Sequence, residues 1–352
     1  MKPIVLIKIL LLVAGLVFTL VLAALLLLPA LYQDRLHALV STKLIQDPDK
    51  ALAPFQSEIS SWKNFPYLTV SLDNISLVDT SSDEPLKVLG IKHAEALVPL
   101  LQWPFGTIRI HQVYLNGLSF HQRVDSVGNK VGLSFGDGGD NQKKQPANSP
   151  TLLVRQLTIQ NARILTENHF KESAFAMQVL NAELVAELRN NLLSVKGHLA
   201  GKLDHITSRD LRLFQDREFK ANVRYTYDLK KKRGTIAEST AILNENEVLL
   251  SGTHQKAVDG PGSVLDLHFK GEQPFFFLLD QMSAVRSIPL LKQVESGGKV
   301  KLHYHIAGLS GPKKRPRGRL HFELQNGQLH WPASRITLSH IQIAGQLDNG
   351  PQ

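Results

Sequence analysis

The chain has 352 residues, of which 43% are hydrophobic, 7% aromatic and 20% charged. This composition excludes a disordered chain and supplies enough apolar material for a large core. Lysine and arginine total 40 against 31 acidic residues, a mild excess for this length, so we expect no nucleic-acid partner. The absence of cysteine excludes disulfides, thiolate metal sites and cysteine nucleophiles.

Residues 9–28 form a continuous apolar run, ILLLVAGLVFTLVLAALLLL, in which Thr19 is the only polar side chain. At 1.5 Å per residue a helix of this length spans about 30 Å, the hydrocarbon thickness of a bilayer. A cleavable signal peptide has an apolar stretch of only about 7 to 15 residues. We therefore predict an uncleaved transmembrane helix and assign residues 1–31 to a short tail and this anchor. Basic residues flank the run on both sides, so charge alone does not determine its orientation.

Two stretches after the anchor place apolar residues at helical spacing. The first runs from Asp34 to Ile45, and the second contains Leu52, Phe55, Ile59 and Trp62. We predict two amphipathic helices that form a neck over residues 32–65. They would either pack on the start of the following domain or lie in the membrane interface.

Three later segments repeat a spacing of apolar residues with little shared identity. They are FPYLTVSLDNISLVD, IRIHQVYLNGLSF at 108–120 and LLVRQLTIQNARI at 152–164. Within each segment apolar residues occur in pairs spaced by two, which is the period of a β-strand. The residues of this pattern are Val70, Leu72, Ile75 and Leu77; Ile108, Ile110, Val113, Leu115, Leu118 and Phe120; and Val154, Leu157 and Ile159.

Successive pairs are separated by a step of three, which would turn the second pair to the opposite face of a regular strand. An extra residue, a β-bulge, at His111-Gln112 and at Asn116-Gly117 would keep all pairs on one face. The same shift occurs around Asp73-Asn74. For Leu-Asn-Gly-Leu the alternative is a two-residue hairpin turn. We favour the bulge because the second copy has no glycine at this place.

The remaining sequence divides into further regions. We assign residues 66–136 to a first β module and residues 137–151, within a stretch rich in Gly, Asn, Gln and Pro, to a flexible loop. Residues 152–273 carry short alternating runs of a second β module, and residues 274–296 suggest a helical insertion interrupted at Pro289. Residues 297–352 contain further strands. The predicted fold is mainly β with few helices: an N-terminal transmembrane helix followed by an elongated, curled antiparallel β-sheet.

No established catalytic motif is present. The sequence lacks G-x-S-x-G, H-E-x-x-H, Walker A and G-x-G-x-x-G. His303 and His305 are two apart and share one side of a strand, a spacing that can hold a metal. Lys301 shares that side and no acidic residue stands at fixed spacing nearby. We therefore expect a wet outer face there, with no metal, no cofactor and no enzymatic activity.

Basic residues cluster in two runs beside turn-type residues, KKKR and KKRPRGR, the second at 313–319. Most such runs are solvated ends of hairpins. The alternative is contact with anionic lipid headgroups, for which the candidates are Lys230, Lys231, Lys232 and Arg233.

The anchor, the neck, FPYLTVSLDNISLVD, the connection LVPLLQWPFGTIRIHQVYLNGLSF and the following Gly128-Asn129 together resemble the AsmA family of bacterial envelope proteins. The resemblance covers roughly residues 1–165. It implies an inner-membrane protein with a cytoplasmic N-terminus and a periplasmic bulk. It also implies a fold related to bridge-like lipid-transfer proteins, whose curled sheet forms an apolar β-groove for phospholipid acyl chains. A repeated shape without repeated identity suits such a groove, because acyl chains select an apolar surface rather than particular side chains.

The resemblance thus implies a role in phospholipid transport or outer-membrane homeostasis, with the thirteen paired residues above as groove candidates. Further envelope proteins are expected as partners because the sheet would not by itself connect two membranes. The rival interpretation is a non-transporting scaffold or regulator of outer-membrane protein assembly, whose sheet is the core of a sandwich. A sandwich requires a second sheet facing the apolar side chains, whereas a groove leaves them uncovered.

Overall fold

The computed structural model describes residues 49–81, 84–99, 108–132, 152–208, 211–213, 216–243, 246–258, 262–275, 295–311, 314–332 and 334–350. The predicted anchor, the first neck helix and most of the predicted insertion lie outside these ranges. Among the described residues, none belongs to a helix with the length and apolar character that crossing a bilayer requires. The described secondary structure is β, which confirms the mainly β class.

In the described residues nineteen strands form one sheet. Their bounds are β1 (Lys50–Leu52), β2 (Gln56–Asn64), β3 (Tyr67–Asp79), β4 (Leu86–Pro99), β5 (Ile108–Asn116), β6 (Ser119–Val124), β7 (Lys130–Val131), β8 (Leu152–Asn168), β9 (Ser173–Arg189), β10 (Leu192–Ser208), β11 (Leu211–Leu213), β12 (Arg217–Asp228), β13 (Arg233–Leu243), β14 (Asn246–Lys256), β15 (Ser263–Pro274), β16 (Glu295–Gly297), β17 (Lys299–Ser310), β18 (Arg317–Trp331) and β19 (Ile336–Asp348).

The long strands follow one another across the sheet almost in chain order. From β2 the order is β3, β4, β5 in line with β6, then β8, β9, β10, β12, β13, β14, β15, β17, β18 and β19. The regions assigned above to two β modules are therefore parts of one continuous sheet.

The sheet is mixed rather than wholly antiparallel. Strands β5 and β6 pair with β8 in parallel, whereas the other pairings among the described strands are antiparallel. Parallel neighbours need a crossover of a dozen or more residues, and residues 133–151 supply the length. Alternation of apolar residues does not encode strand direction, so the sequence did not reveal this pairing.

The prediction of a second neck helix is wrong, because Gln56–Asn64 is strand β2. Phe55 and Ile59 are buried, and so is Ser61, which occupies the next inward position of the strand. A step of four brings two residues to the same face of either a helix or a strand, so Phe55 and Ile59 do not distinguish the two structures. The small polar side chains of Ser57 and Ser61 at inward positions concealed the strand period.

A bulge of the predicted kind appears in strand β8, at the position equivalent to His111-Gln112, and not at His111-Gln112 itself. The β8–β9 register shifts between Val154 and Leu157, which are paired with Ala186 and Leu184. Two residues of β8 thus lie opposite one of β9, and Val154 and Leu157 stay on one face despite their separation of three. The parallel neighbour β5 keeps a constant offset to β8 through His111 and Gln112, so Ile110 and Val113 stay on that face as well.

At Asn116-Gly117 the shift has a different form from the predicted extra residue. Strand β5 ends at Asn116 and β6 begins at Ser119, yet the offset to β8 is unchanged. Gly117 and its neighbour Asn161 both adopt left-handed φ, 66° and 54°. Because β8 and the β5–β6 segment both depart from regular strand geometry at paired positions, their register does not shift. The hairpin alternative is wrong, because β5 and β6 run in one direction along β8.

Side-chain contacts show that the apolar residues before and after the left-handed residue Asn161 lie on one face. Ile159 and Ala162, on either side of Asn161, belong to one hydrophobic cluster. The same cluster includes Val179 and Ala182 of β9. The prediction that the apolar pairs share one face is therefore confirmed for β8. At Asn161 a left-handed residue, rather than an extra residue, produces this arrangement.

Each hydrophobic cluster is built mainly from strands of this one sheet. One joins β3, β4 and β7, a second joins β8, β9 and β10, and a third joins β17 and β18 with Phe275. In the described part of the chain no second sheet packs on the first.

Two turns far apart in the strand order contact each other. The Lys171 ammonium, in the β8–β9 turn, donates hydrogen bonds to the carbonyl oxygens of Gly311 at 2.6 Å and Lys314 at 3.4 Å, in the β17–β18 turn. Burial, and then the charge of Arg315, lower the pKa of Lys171. Five long strands separate these turns in the sheet, so the sheet is strongly bent between them.

Candidate functional site

An unbroken row of apolar and small residues crosses the sheet from β3 to β19. Each member is the register partner of the next, so all share one face. The row, termed the apolar row, is Leu72, Ala94, Leu115, Ile159, Ala182, Leu199, Ala221, Ala241, Val248, Gly271, Leu302, Phe322 and Gly345. At about 4.8 Å between strands its thirteen positions extend about 60 Å.

The residues one position away in each strand form a second row on the opposite face. This polar row is Ser71, Glu95, Tyr114, Thr158, Glu183, His198, Asn222, Thr240, Leu249, Lys270, His303, His321 and Gln346. Leu249 is its one aliphatic member. Along this line the sheet thus has an apolar face and a polar face from β3 to β19.

The register places the described side chains of the sequence-predicted candidates on the apolar face. Leu72, Leu115 and Ile159 belong to the apolar row itself. A parallel line on the same face contains Val70, Val113 and Leu157, followed by Leu184 of β9. Leu118 packs against the cluster of Ala162 and Val179, and Phe120 is joined through Ile164 to Met177 of that cluster. In the backbone register, Ile108 lies opposite Leu152.

The candidates differ in how accessible they are. Val154 is buried, and Ile75 and Leu77 are 4% and 1% exposed, so these two have no free surface for a ligand. Leu77 packs against Leu86, Val88 and Val131 of the protein itself. By contrast, Val113 and Leu115 are half-buried, as are most members of the apolar row. The half-buried residues of the apolar row, and not the cluster around Leu77, are therefore the part of this face available to a ligand.

Aromatic rings lie low over glycines on the apolar face. A Cβ added at Gly345 would meet the Phe322 ring at 2.4 Å, and one at Gly318 would meet the Tyr304 hydroxyl at 2.6 Å. Each ring covers the backbone of the next strand, an arrangement known to rescue exposed glycines in sheets. The rings therefore lie along the sheet and leave the space above it open.

A pair of polar side chains on this face, Tyr225 and His254, is held in the uncharged form. The Tyr225 hydroxyl lies 2.9 Å from Nε2 of His254, and the two rings are stacked. Burial lowers the pKa of His254 and raises that of Tyr225. Both shifts favour the uncharged forms, so this pair introduces no charge into the apolar face.

The first basic run forms the β12–β13 turn and leads into β13. Oδ1 of Asp228 accepts hydrogen bonds from the backbone N–H groups of Lys230 and Lys231, both at 2.9 Å, and Lys232 adopts a left-handed φ of 49°. These contacts explain a solvated turn without any ligand. Headgroup contact by Lys230 to Arg233 stays a prediction. In the second run Arg317 and Arg319 pair with Asp348 at 2.6 Å and 3.4 Å, so part of its charge is already compensated.

Sequence reasoning missed two features of these faces. The first is the continuation of the apolar row through β9 to β19, where small residues such as Ala221 and Gly271 alternate with large ones. The second is Asp266, an acidic neighbour of His305 at 2.8 Å. Both depend on the register between strands, and no pattern within a single strand predicts them.

Comparison with known proteins does not identify this chain. No protein-family model matches it, and no match was found among curated proteins or solved structures. The relation to the AsmA family therefore stays a resemblance carried by the residues quoted above.

Proposed function

We propose that the apolar face binds phospholipid acyl chains in a curled groove, and that the protein serves phospholipid transport or outer-membrane homeostasis. The observation that supports this most directly is the apolar row. Thirteen consecutive register positions carry no charged or hydrogen-bonding side chain, while the positions beside them are almost all polar. A row about 60 Å long is twice the hydrocarbon thickness of about 30 Å.

The chemistry of this face suits acyl chains. Burial of each methylene contributes about 0.8 kcal/mol, so a chain of about sixteen carbons gains roughly 12 kcal/mol without any directional contact. A surface of varied aliphatic residues provides this equally at every position. The contact of Lys171 with the β17–β18 turn supports the curl, because it requires strong bending between distant strands.

The membrane part of the proposal rests on the sequence alone. The apolar run at 9–28 would anchor the chain in the bacterial inner membrane, and the resemblance implies that the bulk is periplasmic. A reporter fused after Gln352 measures this orientation directly.

Site-specific photo-crosslinking tests the groove. A photoreactive residue at Leu115, Leu199 or Leu302 is expected to capture phospholipid in intact cells, with adducts identified by mass spectrometry. The matched controls Tyr114, His198 and Lys301 precede these residues in the same strands and face the other way. Lipid adducts at the first set only would support the proposal.

Protein adducts alone at Leu115, Leu199 and Leu302 would instead favour the scaffold or regulator of outer-membrane protein assembly. One observation favours a protein partner. Strand β19 lies at the edge of the described sheet, pairs only with β18 there, and exposes Ile336, Leu338 and Leu347. An edge of this kind can accept a strand from another protein.

The basic turn gives a second expectation. Near an anionic surface each lysine contributes about 1 kcal/mol, so replacing Lys230, Lys231 and Lys232 with Gln is expected to weaken binding to vesicles that contain phosphatidylglycerol about 100-fold. Binding to neutral vesicles should not change. Cosedimentation of the purified full chain measures both. Replacing Lys196, Lys220 and Lys301 on the polar face removes the same charge elsewhere, and an equal loss in that control would contradict a specific role for the turn.

A further inference from the structure

Three ionisable side chains meet on the polar face of β15 and β17. Asp266 and His268 are two apart on β15, and His303 and His305 are two apart on β17. His268 is the register partner of His305, so the alternation of each strand brings these side chains to one face. The sequence shows only the spacing within each strand, and the register supplies the acidic partner that was missing.

The donor atoms are close enough to share one ion. Oδ1 of Asp266 lies 2.8 Å from Nε2 of His305 and 3.4 Å from Nε2 of His268. The two imidazoles are stacked, with centroids 4.2 Å apart and planes inclined by 7°, so both direct Nε2 toward the carboxylate. Tetrahedral ligands at about 2.05 Å from zinc are about 3.3 Å apart, close to the two separations from Asp266. The three donor atoms all lie within 4.8 Å of one another.

A fourth residue can orient the cluster from outside. Nε2 of His303 lies 3.4 Å from Nδ1 of His268. Histidines that ligate metals usually donate their other ring N–H to a neighbouring acceptor, which fixes the tautomer and leaves the ligating nitrogen bare. His303 is placed for that role, and Lys270 lies opposite His303 rather than among the three donors.

The donor set favours particular ions. Two imidazoles and one carboxylate suit Zn²⁺, and imidazole disfavours Ca²⁺ and Mg²⁺, which prefer oxygen ligands. The side chains of Asp266, His268 and His305 are 58%, 34% and 32% exposed, so solvent can complete the coordination.

We propose that Asp266, His268 and His305 form a zinc site on the polar face, with His303 as a positioning residue. Strands β15 and β17 adjoin in the sheet but are separated along the chain by residues 275–298. An ion bound to both strands would join the two sides of that segment. The site lies on the face opposite the proposed groove and does not depend on lipid binding.

The geometry also fits a plain hydrogen-bonded Asp–His pair, and metal binding separates the two interpretations. The full chain, purified in detergent with a tag that contains no histidine, is titrated with ZnCl₂ by calorimetry. We expect one equivalent of bound zinc and a rise in the thermal unfolding midpoint. Co²⁺ in place of zinc is expected to give visible d–d absorption of a tetrahedral nitrogen and oxygen site without a thiolate band.

Five variants make the assignment specific. His268→Gln and His305→Gln are expected to lose zinc binding by about 100-fold or more, and His303→Gln by about 10-fold, as for residues that orient ligands. His321→Gln and His198→Gln remove histidines of the same polar face and should bind zinc as the parent does. Resistance to proteolysis in the absence of zinc should be unchanged throughout, which shows that the variants fold. Absence of zinc binding by the parent, or equal binding by His305→Gln, would overturn the proposal.

Discussion

Aspartate at Leu115 or Leu199 is expected to abolish phospholipid capture while the chain stays folded. Both residues are half-buried members of the apolar row, and the face above them is not covered by a second sheet in the described residues. An unpaired carboxylate against acyl chains costs several kcal/mol, so lipid occupancy should fall roughly 100-fold or more. Ile110, which shares the face through the β8 bulge, should respond in the same way.

The folded state should tolerate these changes. At a half-exposed position the carboxylate keeps part of its hydration, so we expect a loss of about 1 to 3 kcal/mol of stability. The control is His198→Asp, which places the same charge one residue from Leu199 on the polar face. Lipid extracted from the purified variants and counted by mass spectrometry measures occupancy, and resistance to proteolysis measures folding.

The combination of results decides between the two functions. Lost lipid with retained folding for Leu199→Asp, and neither effect for His198→Asp, supports the groove. Unfolding of both Leu115→Asp and Leu199→Asp, together with crosslinks to protein alone, would make these residues core and sink the lipid proposal.

Replacing Gly252 with alanine is expected to destabilise the sheet strongly. Gly252 has a φ of 138°, and an added Cβ would lie 2.1 Å from the carbonyl oxygen of Asp266 and 2.8 Å from Cα of Leu267. These are backbone atoms of β15, so relief requires separating the strands. Strain of about 1 to 3 kcal/mol from the backbone angle adds to a similar cost of overpacking.

Gly308→Ala separates the two contributions. Gly308 also has a positive φ, 107°, but the nearest atom to its added Cβ is 4.0 Å away. It therefore carries the backbone strain without the clash. We expect Gly308→Ala to lower the thermal unfolding midpoint modestly and Gly252→Ala to lower it at least twice as far. Equal shifts would show that β14 and β15 separate easily and that the close approach at Gly252 is not rigid.

The same environment occurs earlier in the sheet. Gly197 has a φ of 151°, and its added Cβ would meet the carbonyl oxygen of Glu183 at 2.1 Å and Cα of Leu184 at 2.8 Å. Gly197 and Gly252 both lie on the apolar face, on β10 and β14. Close approach at these points lets the strands twist and bend, which a long sheet needs in order to curl.

The sequence alone determined the mainly β class and the sharing of one face by the apolar pairs. Both follow from the two-residue period of a strand, which can be recognised within one strand without knowing which strands pair with it. The steps of three from Val154 to Leu157 and from Ile159 to Ala162 were readable for the same reason. The sequence misled at Gln56–Asn64, because Phe55 and Ile59 fit the period of a helix as well as that of a strand.

Strand pairing was decided only in the tertiary structure. The parallel pairing of β5 with β8, the register of thirteen strands along the apolar row and the meeting of Asp266 with His305 all depend on which residues of different strands lie opposite each other. A one-residue slip at any strand would bring a polar side chain such as His198 into the place of Leu199. Register is set by the sum of contacts along both strands, and no local spacing contains that sum. The sequence therefore determined which residues can face a ligand, and the pairing of the strands decided that they form one continuous surface.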